Sequence, residues 1–321
     1  MNSKIALTPF SSPWWLPGGH LQTIVPALRP PPRPRLSRER WDTPDGDFVD
    51  VDFCGEPRGE RLLAVFHGLE GCSDSHYARA LAAHGADAGW RVALPHWRGC
   101  SGEPNRLARA YHSGDSAEVD WLLRRLLSMN SKLFAVGVSL GGNVLLKWLG
   151  ERGDEARAVV RRAATVSAPL DIAAASRVLD RGLNRLLYTR SFLATLKPKS
   201  LAKLERFPGI YDGERVRAAR TFREFDDAVT ARVHGFRDAE DYWSKASSGP
   251  WLEHIRVPTL LLNARNDPFL PESSLLEATR NCPPSVVLEF PCSGGHAGFL
   301  AAASPRRHHW LPRRILDFLQ T

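Results

Sequence analysis

A chain of 321 residues with 43% hydrophobic composition can bury enough apolar surface for one large domain, or for a domain with an insertion. Its five cysteines (Cys54, Cys72, Cys100, Cys282, Cys292) are scattered and form no Cys-x-x-Cys pair, which argues against a disulfide framework or a zinc site and suits a reducing interior. The net charge of +8, from 43 basic and 35 acidic residues, is mostly arginine spread along the chain. Its densest clusters, 29–40 and 306–314, match no nucleic-acid module, so we expect no nucleic-acid partner and leave room only for weak association with anionic membranes.

The first ten residues, Met1-Asn-Ser-Lys-Ile-Ala-Leu-Thr-Pro-Phe10, lack the apolar stretch of a signal peptide. No apolar run approaches the ~20 residues needed to span a bilayer. A cytoplasmic location is the expectation. Residues 1–38, with Pro26, Pro30, Pro31, Pro32 and Pro34, read as an irregular surface arm, ordered around Pro17-Gly-Gly-His-Leu-Gln-Thr23. A hairpin follows: Glu39 to Asp42, a Pro44-Asp45-Gly46 turn, then the alternating Phe48, Asp50, Asp52 and Phe53.

From Leu62 the pattern becomes strand, helix, strand. Short apolar strands are predicted at 62–66, 91–94, 133–138, 163–167, 257–262 and 286–290. Helices are predicted at 77–88, 115–127, 143–149, 272–280 and 311–319. Short buried strands alternating with helices imply a mostly parallel sheet covered on both faces. Residues 171–250 break the rhythm with helical signals and no clear strand, and we divide the chain accordingly. An N-terminal arm (1–38) precedes an α/β core (39–170 and 251–321) interrupted by a helical cap (171–250). Within the cap, Phe222, Phe225, Val229 and Val233 recur at helical spacing as a core-facing stripe.

The strand at 133–138 runs into Gly137-Val-Ser-Leu-Gly141, and a helix follows. A chain that turns from strand to helix in so few residues forces the serine into a strained conformation, and only glycine fits two positions to either side. The turn lifts the Ser139 hydroxyl above the sheet and aims the Leu140 N–H at a developing oxyanion. This is the strand–turn–helix setting of the nucleophile elbow of α/β-hydrolases, in which the acid and then the histidine follow the serine. Asp267 sits just past the strand at 257–262, and His296 lies in the glycine-flanked loop Gly294-Gly-His-Ala-Gly298 after the next strand. Asp171, just past the strand at 163–167, competes with Asp267 for the role of acid. The second oxyanion donor should come from the loop His67-Gly-Leu-Glu-Gly71, and by analogy we assign the Leu69 amide.

Cys100 and Ser101 lie in a glycine-rich loop but lack an elbow context, so that loop reads as shaping the site, and His112 reads as structural. Ser113 or Asp115 could cap the helix that follows. No His-Glu-x-x-His, EF-hand, P-loop or dinucleotide pattern is present, so we expect no metal and no cofactor.

Together, His20-Leu-Gln-Thr23, His67-Gly-Leu-Glu-Gly71, Arg98-Gly-Cys-Ser-Gly-Glu-Pro-Asn-Arg106, Tyr111-His-Ser-Gly114, Gly137-Val-Ser-Leu-Gly-Gly-Asn143, Arg223-Glu-Phe-Asp-Asp227 and Gly294-Gly-His-Ala-Gly-Phe299 resemble the YheT-like α/β-hydrolases over nearly the whole chain. The resemblance implies a carboxylic-ester hydrolase with a Ser139–Asp267–His296 triad, and it favours Asp267 over Asp171. Asp115 stands where that resemblance leads us to expect glutamate. The implied substrates are short- to medium-chain acyl esters or lipid esters. The alternatives are a thioesterase or lipase for longer chains, and a non-catalytic acyl- or lipid-binding protein using the same pocket.

Overall fold

The computed structural model describes residues 10–57, 59–129, 132–301 and 308–321. Its centre is an eight-stranded sheet: β1 (Ser37–Asp42), β2 (Phe48–Gly55), β3 (Arg61–Phe66), β4 (Arg91–Pro95), β5 (Lys132–Val138), β6 (Ala163–Val166), β7 (Thr259–Leu262) and β8 (Val286–Glu289). The spatial order is β1-β2-β4-β3-β5-β6-β7-β8. The hairpin joins β4 antiparallel through β2, and every pairing from β4 to β8 is parallel. The architecture is therefore the expected α/β-hydrolase fold: a mostly parallel sheet flanked by helices.

The strand sequences show why both faces are covered. In β3, Leu62, Ala64 and Phe66 point into one apolar layer and Leu63 and Val65 into the other. The first layer packs on α3 (Ser116–Leu127), whose Val119, Leu122, Leu123 and Leu126 fall at helical spacing, and on α4 (Leu140–Arg152). The second packs on α2 (His76–Asp87) and on the C-terminal helix Trp310–Gln320. Each fully buried leucine contributes about 1.5–3 kcal/mol relative to exposure, so the layers fix strand register and hold the loops at the carboxyl ends of the strands.

The chain runs from β3 to β4 on one side and returns to β5 on the other. At this topological switch point the loops after β3 and β5 diverge and leave a crevice.

Two expectations are corrected. The N-terminal arm is not irregular throughout its described residues, because Gly18–Leu28 forms a helix, α1. Its single proline, Pro26, removes one helical hydrogen bond near the C-terminal end, which a short helix tolerates there. Asp115 stands at the N-cap of α3 but makes no capping bond; its carboxylate instead pairs with Arg109 at 2.5 Å.

Residues 167–258 lie between adjacent strands β6 and β7. Among the described residues they hold helices and no strand, chiefly Ile172–Leu179, Arg190–Arg206, Gly213–Ala218 and Ala239–Ala246. Two apolar clusters organise the segment, one of them shared with Phe269 and Leu270 beyond β7. Phe222 belongs to one with Tyr188, Trp243 and Phe269; Phe225 and Val229 belong to the other with Leu193, Tyr211 and Val216. The predicted stripe is divided between them, with a π-helical turn at Asp226–Thr230 shifting the register beyond Phe225.

Polar side chains fasten this segment to the core. Asn143 of α4, fully buried, donates to the carbonyls of Ser113 (2.7 Å) and Ala246 (2.8 Å) and accepts from the Ser248 N–H (2.9 Å). Lys203 donates to Asn105 Oδ1 (2.6 Å) and to the carbonyls of Leu107 (2.6 Å) and Arg109 (2.9 Å).

Candidate active site

Ser139 caps α4 with φ +54° and ψ −121°, a conformation that L-residues adopt only under constraint. The neighbouring glycines are required by contact. A Cβ on Gly137 would lie 2.4 Å from the Gly141 carbonyl oxygen, and one on Gly141 would lie 2.4 Å from that of Phe66. The elbow is held from below by the Ser139 N–H, which donates to the Val166 carbonyl at 2.8 Å.

Ser139 Oγ is 2.8 Å from His296 Nε2, and His296 Nδ1 is 2.8 Å from Asp267 Oδ2. With Nδ1 protonated, the imidazole donates to the carboxylate and accepts from the hydroxyl. The second Asp267 oxygen accepts from the Phe269 N–H at 2.8 Å, and the Asp267 side chain is shut off from solvent. The Phe269 ring stacks on the imidazole with centroids 4.0 Å apart. The structure thus brings together the three residues that the sequence singled out. It does not bring Asp171 to them: that carboxylate is exposed and caps the helix Ile172–Leu179 by accepting from the Ala174 N–H at 2.9 Å.

The loop after β3 lies directly beside the serine. A Cβ on Gly68 would sit 3.0 Å from Ser139 Cβ. Its N–H groups are largely engaged: Gly68 donates to Tyr77 Oη, Glu70 to Tyr111 Oη, and Gly71 to the Gly68 carbonyl. Among the described residues no acceptor meets the Leu69 or Leu140 N–H, and both residues line the same cavity as Ser139 and His296. Glu70 has φ +54° and is held twice, by the Tyr111 hydroxyl on Oε1 (2.9 Å) and by Lys199 of the inserted segment on Oε2 (2.8 Å).

Several supporting residues were missed in the sequence. α1 spans the acid and histidine loops. Gln22 Oε1 accepts from the Gly294 N–H (2.7 Å) and from Asn266 Nδ2 (3.0 Å), while Thr23 Oγ1 accepts from the His296 N–H (2.8 Å). The backbones approach so closely that a Cβ on Gly298 would lie 1.8 Å from the Gln22 carbonyl oxygen. Ser167, just past β6 with φ +51°, accepts from the Ala297 N–H at 2.9 Å. His20 Nδ1 is 2.9 Å from Tyr188 Oη, and the Tyr188 ring packs on Phe269. The legible signals were the ordered look of residues 17–23 and the place of His20–Thr23 among the motifs of the resemblance.

A cavity of about 610 Å³ extends from Ser139 under the inserted segment, with Leu179, Leu196, Phe222, Phe225, Val229 and Phe269 in its walls. Trp243 of the inserted segment is not in those walls. It is buried behind them and donates to Asp226 at 2.7 Å. Burial pushes the Asp226 carboxyl up to about 7, against the pull of its Thr230 and Trp243 bonds. His112 and His234 meet at the cavity wall with centroids 4.5 Å apart; burial pushes them down to about 4 and about 3, so both stay neutral. Burial also pushes the Cys100 thiol up to about 12, which leaves it protonated and a poor nucleophile. Among the described residues, no group of three or more His, Cys, Asp or Glu is placed to hold a metal ion.

An elbow serine at the carboxyl edge of a parallel sheet, under a helical insertion, defines an α/β-hydrolase. The chain matches the α/β-hydrolase fold family over residues 61–302 and belongs to it. Within that family it is YheT-like. It is 39% identical to the candidate esterase YheT of Escherichia coli, over 94% of this chain and 90% of that one. It is 28% identical to phospholipase ABHD3 of Homo sapiens, over 95% of this chain and 77% of the relative. Among solved structures, an esterase from Exiguobacterium antarcticum superposes with a TM-score of 0.58 at 15% identity, covering 89% of this chain and all of that one, a likeness of fold.

Proposed function

We propose that the protein is a serine hydrolase that cleaves carboxylic esters of short to medium acyl chains, lipid esters included, through an acyl-enzyme. The observation that carries this reading is the hydrogen-bonded series Ser139–His296–Asp267 on the wall of a largely apolar cavity. His296 takes the proton from Ser139 Oγ as that oxygen attacks the ester carbonyl carbon. Asp267 holds the imidazole tautomer and stabilises the imidazolium, and the Leu69 and Leu140 N–H groups receive the oxyanion. The tetrahedral adduct collapses, the C–O bond to the alcohol breaks, and His296 returns its proton to the leaving oxygen. Water then repeats the sequence on the acyl-enzyme, releasing the acid and restoring the serine. The esterase and phospholipase names among the relatives support an ester as the substrate.

The test is hydrolysis of p-nitrophenyl esters from acetyl to long-chain acyl groups by the wild type and by Ser139→Ala. Turnover on the shorter esters that the alanine variant lacks is expected. Turnover retained by Ser139→Ala contradicts the mechanism, and activity confined to thioesters or to long chains contradicts the substrate class.

A further inference from the structure

The helix Arg190–Arg206 walls the cavity with one face, and its other face forms a second groove of about 590 Å³. Arg185, Arg190, Lys197, Arg217 and Arg220 line that groove together with Leu186, Leu193 and Leu201, and no carboxylate lines it. Part of the charge is already used. Arg217 pairs with Glu214 at 2.7 Å, and Lys197 donates to the carbonyls of Arg217 and Ala219. Among the described residues Arg185, Arg190 and Arg220 are exposed and make no ion pair. In the basic cluster near the N-terminus, by comparison, Arg38 pairs with Asp52 and Arg40 with Asp50, and near the C-terminus Arg314 pairs with Glu289.

Next to the groove the chain exposes leucines. Leu183, Leu186 and Leu187 are all solvent-facing, Leu186 at 61% of its surface. Tyr188, the next residue, contacts His20, which brings α1 alongside with exposed Leu21 next in sequence and Trp14, 91% exposed, just before the helix. Exposed tryptophan and leucine cost free energy in water, and monomeric proteins rarely cluster them without a partner. Exposed leucines beside unpaired arginines suit a lipid interface, where apolar side chains enter the acyl boundary and guanidinium groups meet phosphates.

We propose that this face, formed by the outer side of the insertion and the start of α1, docks on the surface of an anionic phospholipid membrane. Charge complementarity selects that occupant, because an unpaired cationic groove repels a second copy of itself and matches a phosphate layer. Docking there sets the cavity-walling helix between the bilayer and Ser139. The inference does not depend on the ester-cleaving reading, since binding to vesicles is measured without turnover.

The experiment is co-sedimentation of the full chain with phosphatidylcholine vesicles, with and without phosphatidylglycerol. Binding only to the anionic vesicles, weakened by salt, is expected. Arg185→Glu combined with Arg190→Glu and Arg220→Glu should weaken it by about 100-fold, from the usual contribution of each basic residue near an anionic surface. Leu186→Gln with Leu187→Gln, and Trp14→Ala alone, should each weaken it measurably. None of these residues lines the catalytic cavity, so circular dichroism and hydrolysis of a soluble ester should match the wild type. Ser139→Ala should bind vesicles as the wild type does. Equal binding to both vesicle types, binding insensitive to salt, or unchanged binding by the folded arginine variant overturns the proposal. So does a wild-type dimer in light scattering that the leucine substitutions dissociate, which would assign the face to a second copy of this chain.

Discussion

At the residue scale, the choice of acid is the sharpest question. Asp267 is buried and bonded to His296, whereas Asp171 is exposed and spent on a helix cap. Asp267→Asn should lower kcat by up to about 10⁴, the loss seen when an amide replaces the acid of a serine-protease triad. Asp171→Asn should cost only a few tenths of a kcal/mol of stability, because asparagine caps helices as well as aspartate. Steady-state kinetics on both variants decides it, and equal losses would contradict the assignment. The buried histidines make a second prediction. Burial pushes His67, His76, His112 and His234 down to between about 3 and about 4, below the ordinary value of ~6.5 that they keep when unfolded. Between those values the unfolded chain binds protons that the folded chain refuses, so stability falls as pH drops from about 6.5 toward 4. The carboxyls of Asp226 and Glu118, which burial raises, act in the opposite sense but are fewer. Denaturant unfolding should therefore show lower stability at pH 5 than at pH 7. His234→Leu should remove about one proton from the linkage, a slope change of ~1.4 kcal/mol per pH unit. A pH-stability slope identical in the variant would contradict the neutral-histidine reading.

At the scale of elements, α1 and the helix Arg190–Arg206 reach the site from outside the sheet. Gln22 satisfies a backbone N–H and an asparagine in the two loops that hold His296 and Asp267. Gln22→Ala leaves the buried Gly294 N–H unpaired, at about 1–3 kcal/mol, and frees the half-buried Asn266 amide. Lower thermal stability and lower kcat should appear together, checked by melting and kinetics on one preparation. Lys199 acts on the other loop, through Glu70 beside the proposed oxyanion donor Leu69. Because Glu70 has positive φ, its conformation relies on the Tyr111 and Lys199 contacts. Lys199→Met should lower kcat by about tenfold, equivalent to 1.4 kcal/mol, with KM little changed, and Lys199→Arg should restore it. A change in KM alone would mean that Lys199 shapes the cavity rather than the oxyanion loop. The insertion should also select the acyl chain. Phe222→Ala and Phe225→Ala enlarge the cavity and should shift kcat/KM toward longer esters, each methylene being worth about 1–3 kcal/mol. An unchanged length profile in folded variants would exclude that role.

At the scale of the whole molecule, sheet and serine were legible for the same reason. Continuous apolar runs such as Leu62–Phe66 have no stable place except a strand buried on both faces. The Ser, acid, His order then follows from where β5, β7 and β8 end. The supports were not legible, because Gln22 and Thr23 act across more than 270 residues of chain, and no local pattern announces such a contact. The π-helical turns at Arg185–Thr189 and Asp226–Thr230 likewise break the 3.6-residue period on which the helix prediction relied. Net charge counts arginines without distinguishing those the fold pairs, such as Arg38 with Asp52, from those it leaves exposed without an ion pair, such as Arg185.

The central claim is that Ser139 is made nucleophilic by His296 and Asp267. Its most direct test is mass spectrometry of the protein after reaction with a fluorophosphonate, which labels only an activated serine. One phosphonyl adduct, mapped to Ser139 and absent from Ser139→Ala, is the predicted result, with labelling strongly slowed in His296→Ala. A wild type that takes up no label, or an adduct mapped to any other residue, would contradict the account.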